Sequence, residues 1–166
     1  MIQKPFGIII PGQPATKKNS ATMVQNRACL LPSPAYRKYE KEVREKINML
    51  RSTHRIPHYT MPVKLTCRYW LKDRAHWPDL VGLMQATADI ISDERKTIKG
   101  KRVTVCPWIL SDDRIIASWD GTTIAGIDKV RPRVEIVITP LEVSMEDAID
   151  PYIMKQIKQQ QVQSLF

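Results

Sequence analysis

Apolar and polar positions alternate most cleanly between Val63 and Leu71. Val63, Leu65, Cys67, Tyr69 and Leu71 fall on one face, and Lys64, Thr66, Arg68 and Trp70 fall on the other. A period of two held over this length predicts a half-buried β-strand. Phe6 to Ile10 is a shorter apolar run closed by Pro11-Gly12, which predicts a buried strand ending in a turn. Arg133 to Ile138 predicts another strand, since Val134, Ile136 and Ile138 alternate with Glu135 and Val137 between Pro132 and Pro140. Spacings of three and four mark two helices. Ser33 caps the first, Pro34 opens it, and Tyr36, Tyr39, Val43, Ile47 and Leu50 form its apolar stripe, with Arg37, Lys38, Lys41, Arg44 and Lys46 on the other faces. Pro78 opens the second, whose stripe is Leu80, Leu83, Met84, Thr87, Ile90 and Ile91, with Asp79 in its first turn.

The intervening stretches carry weaker signals. Residues 12–34 are rich in turn formers and lack periodicity, so they predict a long loop bearing Lys17, Lys18 and Arg27. Glu94 to Arg102 is a basic connection, followed by the strand-like VTVCPWIL and then by SDDRIIASWD, a turn with two adjacent acids feeding another strand. Helices interleaved with closely joined strands predict an α+β domain over residues 1–140, a small mixed sheet packed by two main helices. Residues 141–166 are a glutamine-rich tail in which Asp150-Pro151 starts a short helix through Ile153, Met154 and Ile157, suited to packing on a protein partner.

Composition narrows the class. A chain of 166 residues, 43% hydrophobic and 26% charged, suits one globular domain and excludes wholesale disorder. No apolar run approaches the ~20 residues of a membrane span, and the opening MIQKPFGIII is too short for a secretory signal, so a soluble cytoplasmic protein with no membrane partner is expected. Cys29, Cys67 and Cys106 are widely spaced and odd in number, which argues against a disulfide framework or a zinc ribbon. The net charge is +9. Glu142, Glu146, Asp147 and Asp150 against Lys155 and Lys158 give the tail −2, which leaves +11 on residues 1–140. Such a body gains affinity for phosphate polymers by releasing their counterions.

Two acidic loci then stand out, Asp79 after the loop of Lys72, Asp73, Arg74 and His76, and the adjacent Asp112 and Asp113. Carboxylates converging from two elements of a basic protein would hold Mg²⁺, which takes oxygen ligands and shares its remaining positions with water and substrate phosphate. The competing explanation is ordinary: an acid at a helix start is favoured by the helix dipole, and Ser-Asp-Asp is common turn chemistry. His54 and His58 flank Pro57, which opposes the helix that would align them as ligands. The cysteines and Trp70, Trp77, Trp108 and Trp119 suit a core better than a site.

The order IIIPGQPATKKN, SPAYRKYEKEV, HWPDLVGLMQATADII, LSDDRII, RPRVEIVI resembles the RusA family of Holliday junction resolvases, small dimeric endonucleases common in prophages, over roughly residues 6–139. The resemblance implies a RusA-like fold, a homodimer, branched DNA as substrate in recombination and repair, and Mg²⁺ (or Mn²⁺ in its place) as cofactor. The family pattern at the first locus reads approximately D-L-D-N-L-x-K. Asp79 matches its first acid, and Asp113, with Asp112 beside it, matches the essential acid of the second locus. Val81 stands where the second acid belongs, Gly82 where asparagine is usual, and Gln85 where the lysine is usual. Asp89 and Asp93 lie about 15 and 21 Å beyond Asp79 along a continuous helix, too far to share an ion with it.

The resulting expectation is a bacterial or phage-encoded hydrolase of phosphodiester bonds. Asp79, Asp112 and Asp113 would be its catalytic and metal-binding residues, and Lys17, Lys18, Lys72, Arg74, Lys96, Lys99, Lys101 and Arg102 its DNA contacts. The alternatives are a relative that binds branched DNA without cutting and a basic adaptor that recruits a protein through its tail. Binding to a synthetic four-way junction should weaken steeply with salt in a titration, and neutralising Lys17, Lys18, Lys99 and Lys101 together should remove most of that dependence.

Overall fold

The computed structural model describes residues 4–17, 19–24, 27–53, 56–75, 77–142, 150, 151, 153–155 and 158, with the backbone alone for 19–24 and 27–30. In chain order the elements are β1 (Phe6–Pro11), β2 (Asn19–Val24), β3 (Arg27–Pro32), α1 (Pro34–Thr53), β4 (Val63–Leu71), α2 (Leu80–Ile91), β5 (Glu94–Ile98) and β6 (Lys101–Cys106). A single-turn 3-10 helix (Asp113–Ile115) follows, then β7 (Ile116–Ser118), β8 (Thr123–Ile127) and β9 (Arg133–Pro140). The class is α+β, as the sequence predicts.

The strand with the cleanest alternation becomes the centre of a five-stranded mixed sheet. β4 pairs antiparallel with β9, which pairs antiparallel with β1. On its other side β4 pairs in parallel with β7 near Val63 and with β8 from Arg68 to Leu71. Two short strands thus share one edge, and the Thr122 hydroxyl bridges the gap between them. It accepts from the Cys67 amide at 3.0 Å and donates to the Leu65 carbonyl at 3.3 Å, satisfying backbone groups of β4 that would otherwise lack a strand partner.

One face of this sheet is covered. Val63, Leu65, Cys67, Tyr69 and Leu71 of β4, Ile8 and Ile10 of β1, and Val134, Ile136 and Ile138 of β9 are buried with Tyr36, Tyr39, Val43 and Ile47 of α1 and Leu83, Ala86, Ile90 and Ile91 of α2. Burial pushes the Cys67 thiol up to about 12, so this cysteine packs as a small apolar side chain. Across this layer the Tyr69 and Thr87 hydroxyls pair at 2.8 Å.

Several expectations change. The loop expected over 12–34 contains an antiparallel hairpin, β2 with β3. The basic connection 94–102 is likewise the first part of a hairpin, β5 with β6. Neither hairpin joins the main sheet, so neither is marked by the apolar alternation that burial of one face imposes. The strand expected over VTVCPWIL stops at Cys106, and Trp108, Ile109 and Leu110 enter the core as a non-strand segment held by amides of Ile109 and Leu110 on the Ile91 carbonyl. β8 carried no sequence signal. Among the residues assigned to a tail, Pro151, Ile153–Lys155 and Lys158 are helical, and Ile153 is only 2% exposed within the core, with Met154 against it. Ile157 lies outside the described residues.

Ile153 therefore ties the end of the chain to its body. Ile153→Ala should lower the unfolding free energy by about 2–4 kcal/mol in urea titrations, whereas a tail that packs only on a partner would leave the isolated chain unaffected.

Candidate functional site

Pro78 precedes α2 and Asp79 stands just before the first helical residue, with an extended backbone (φ −73°, ψ 144°) and its Oδ1 accepting from the Gly82 amide. This corrects the sequence expectation of an acid inside the first turn. An aspartate reaches the third helical amide from the capping position, where the backbone is still extended. A Cβ at Gly82 would stand 2.8 Å from the Asp79 carboxylate and 3.0 Å from Thr16 Cγ2, so a side chain there would make the Asp79 carboxylate and Thr16 shift.

Asp112 has the same kind of role. Its Oδ1 accepts from the Arg114 amide at 3.1 Å, capping the 3-10 turn, and its Oδ2 accepts from Arg95 Nη1 at 2.7 Å. Both side chains of that ion pair are only 12% exposed. Arg95 also donates to the Ser111 carbonyl at 2.7 Å, so one guanidinium holds the root of the β5–β6 hairpin against the Ser111-Asp112 turn. Asp113 is raised above the ordinary carboxylate range by partial burial, then by Asp112 and by Asp89, with Arg114 acting against them.

Asp89 is the residue whose place the sequence hides. It was considered only as a partner of Asp79, from which α2 separates it by about 15 Å. The fold instead brings it under the influence of Asp113 and Tyr36 and pairs it with Lys17 at 2.9 Å. A contact between residues 17 and 89 leaves no trace in local periodicity.

Among the described residues, no three His, Cys, Asp or Glu side chains are gathered so that they could hold a metal ion. Asp79 and Asp112 already accept from internal donors, and the trio Asp79, Asp112 and Asp113 does not fit Mg²⁺ as placed. Asp93 likewise has partners distant in the chain, accepting from the Trp108 amide at 2.7 Å and contacting His58 at 3.1 Å. His54 lies outside the described residues.

The expected DNA contacts divide into three groups. Lys17 is engaged by Asp89, and Lys18 lies outside the described residues. Lys72 and Arg74 are exposed in the loop before α2, beside an open cavity of about 520 Å³ lined by Gln13, Thr16, Ser33, Lys72, Asp73 and Trp77. The Gln13 side chain accepts from the Lys72 amide at 2.6 Å and fixes one wall. Lys96, Lys99, Lys101 and Arg102 are exposed together on the β5–β6 hairpin. Compared with known proteins, the chain matches no family model and no curated protein.

Opposite responses are expected at the two adjacent acids. A raised carboxyl binds its proton more readily in the folded state than in the unfolded chain, so stability falls as pH rises from the ordinary value of 3.8 through the folded value. Asp113→Asn should therefore raise the thermal midpoint at neutral pH and flatten that fall. Asp112→Asn, which leaves Arg95 without its anion, should lower stability by roughly 1–3 kcal/mol. Melting curves of both variants across acidic and neutral pH check the pair.

Proposed function

We propose that the chain is a RusA-like protein that binds branched DNA as a homodimer and cleaves it poorly or not at all. The observation that carries this reading is the internal engagement of two of the three candidate acids, Asp79 by the Gly82 amide and Asp112 by Arg95. At the departures from the family motif, Val81 is 72% exposed and Gln85 is exposed. Val81 cannot ligate a hard cation, and Gln85 cannot bring positive charge to a phosphate. Support for a nucleic-acid partner is the +11 body together with the exposed cations of the hairpin and of the loop before α2. The sheet face that the helices leave open exposes Ile9 and Val137, which would suit a second copy.

A second reading, Mg²⁺-dependent cleavage, is favoured by one observation. Asp89 and Asp113 come from different elements, and the Asp89 charge is one of the lesser causes that raise the Asp113 carboxyl; two carboxylates drawn from separate elements are what the family's chemistry would need. Both readings share the DNA-binding surface and differ only in turnover.

Incubating the full chain with a synthetic four-way junction separates them. Wild type should bind the junction and yield no product at millimolar Mg²⁺, with at most slow cutting in Mn²⁺. Val81→Asp with Gln85→Lys should raise cleavage by roughly tenfold or more, and adding Gly82→Asn, which displaces the Asp79 carboxylate from its cap, should raise it further. Asp79 lies outside the helix, so the regular geometry that separates residues two apart does not constrain residues 79 and 81. Efficient wild-type cutting that is lost in Asp113→Asn would establish the second reading instead.

A further inference from the structure

The β5–β6 hairpin is a separate two-stranded ribbon. Its strands pair Lys96 with Val103, Thr97 with Arg102 and Ile98 with Lys101, and they join no other sheet. The turn is Lys99-Gly100, both with positive φ (49° and 74°), the backbone of a two-residue turn whose twist matches the flanking strands. Lys99 is the one non-glycine residue with positive φ among the described residues. A tight turn of this kind gives the ribbon a defined tip rather than a loose loop.

Its surface is unusual for a solvated connection. Residues 94–106 hold Arg95, Lys96, Lys99, Lys101 and Arg102 against Glu94 alone. Ile98 is 50% exposed, and Val103 and Val105 are each 42% exposed. Cross-strand partners share a face, so Lys96, Ile98, Lys101 and Val103 lie on one side, and Arg95, Thr97, Arg102 and Thr104 lie on the other. Cations therefore occur on both faces and at the tip. A lipid surface meets one face of an element and would select cations on that face alone. A groove of duplex DNA is walled by phosphates on either side and floored by base edges and methyl groups.

We propose that this hairpin is a DNA-contacting arm that inserts into a groove of a duplex arm of the substrate, with Lys96, Lys99, Lys101 and Arg102 on the phosphates and Ile98 and Val103 toward the groove floor. The inference rests on the DNA-binding reading and adds the element and its mode of contact. A two-stranded ribbon fits a major groove about 12 Å wide. The arm is not loosely hung: Arg95 fastens its root to Asp112 and the Ser111 carbonyl at 2.7 Å each. A duplex gripped by the arm is therefore held beside the Asp112-Asp113 turn.

The test compares the full wild-type chain with the quadruple variant Lys96→Gln, Lys99→Gln, Lys101→Gln, Arg102→Gln, and with Ile98→Ser, on a four-way junction and on a linear duplex of the same sequence. Circular dichroism and melting of each variant establish that the body is folded. The quadruple variant should lose at least about tenfold in affinity for both DNAs, with its salt slope shallower by up to about 3.6, near 0.9 per lost phosphate contact. Ile98→Ser should lose several-fold with an unchanged slope, because it removes contact without charge. Wild-type binding to DNA that the quadruple variant reproduces in affinity and slope would overturn the arm and leave the DNA-binding reading standing. Failure of wild type to bind either DNA would remove that reading and the arm with it. Binding to phosphatidylglycerol vesicles, lost in the quadruple variant and unaccompanied by DNA binding, would reassign the hairpin to a membrane surface.

Discussion

The burial of one face of β4 is the constraint on which the rest depends. Val63, Leu65, Cys67, Tyr69 and Leu71 are all fully enclosed, and each borders either a neighbouring strand or a helix of the covering layer. Because the side-chain period of a strand is two, a slip of one residue would turn Lys64, Arg68 and Trp70 into the core. Register is therefore set by the cost of burying charge. With β4 fixed, β9 and β1 add on one side, while β7, the Thr122 bridge and β8 complete the other. The face turned away from the helices is where Trp70 lies between Arg68 and Arg133, at 5.9 and 4.9 Å from its ring centre, an arrangement that keeps a large aromatic on an open sheet without an apolar cover.

Charge is distributed by a related logic. A helix end and a short turn each present unpaired amides, and the nearest aspartate satisfies them. Asp79 and Asp112 do this, so the two loci that look most like a metal site are also the two places where local backbone needs an acid. Arg95 then neutralises Asp112, and Lys17 neutralises Asp89. Lys96, Lys99, Lys101 and Arg102 of the hairpin and Lys72 and Arg74 are among the cations that remain exposed, as are Arg37 and Lys46 of α1 and Lys129 and Arg131 before β9.

The sequence by itself determined the sheet core and the two helices, because a half-buried strand or helix writes its buried face into the chain as a period of two or 3.6. It also determined the Ser33 cap, where the hydroxyl accepts from the Tyr36 amide at 3.2 Å, and the net charge that makes an acidic partner physically reasonable. Only the tertiary structure decided the two hairpins and β8. The β5–β6 ribbon is exposed along most of its length, neither hairpin joins the main sheet, and the backbone pairing within each hairpin is available to many sequences. It alone brought Lys17 to Asp89, Arg95 to Asp112 and Ile153 into the core. Each of these is a contact between residues distant in the chain, selected by packing, and neither spacing nor composition encodes such a contact.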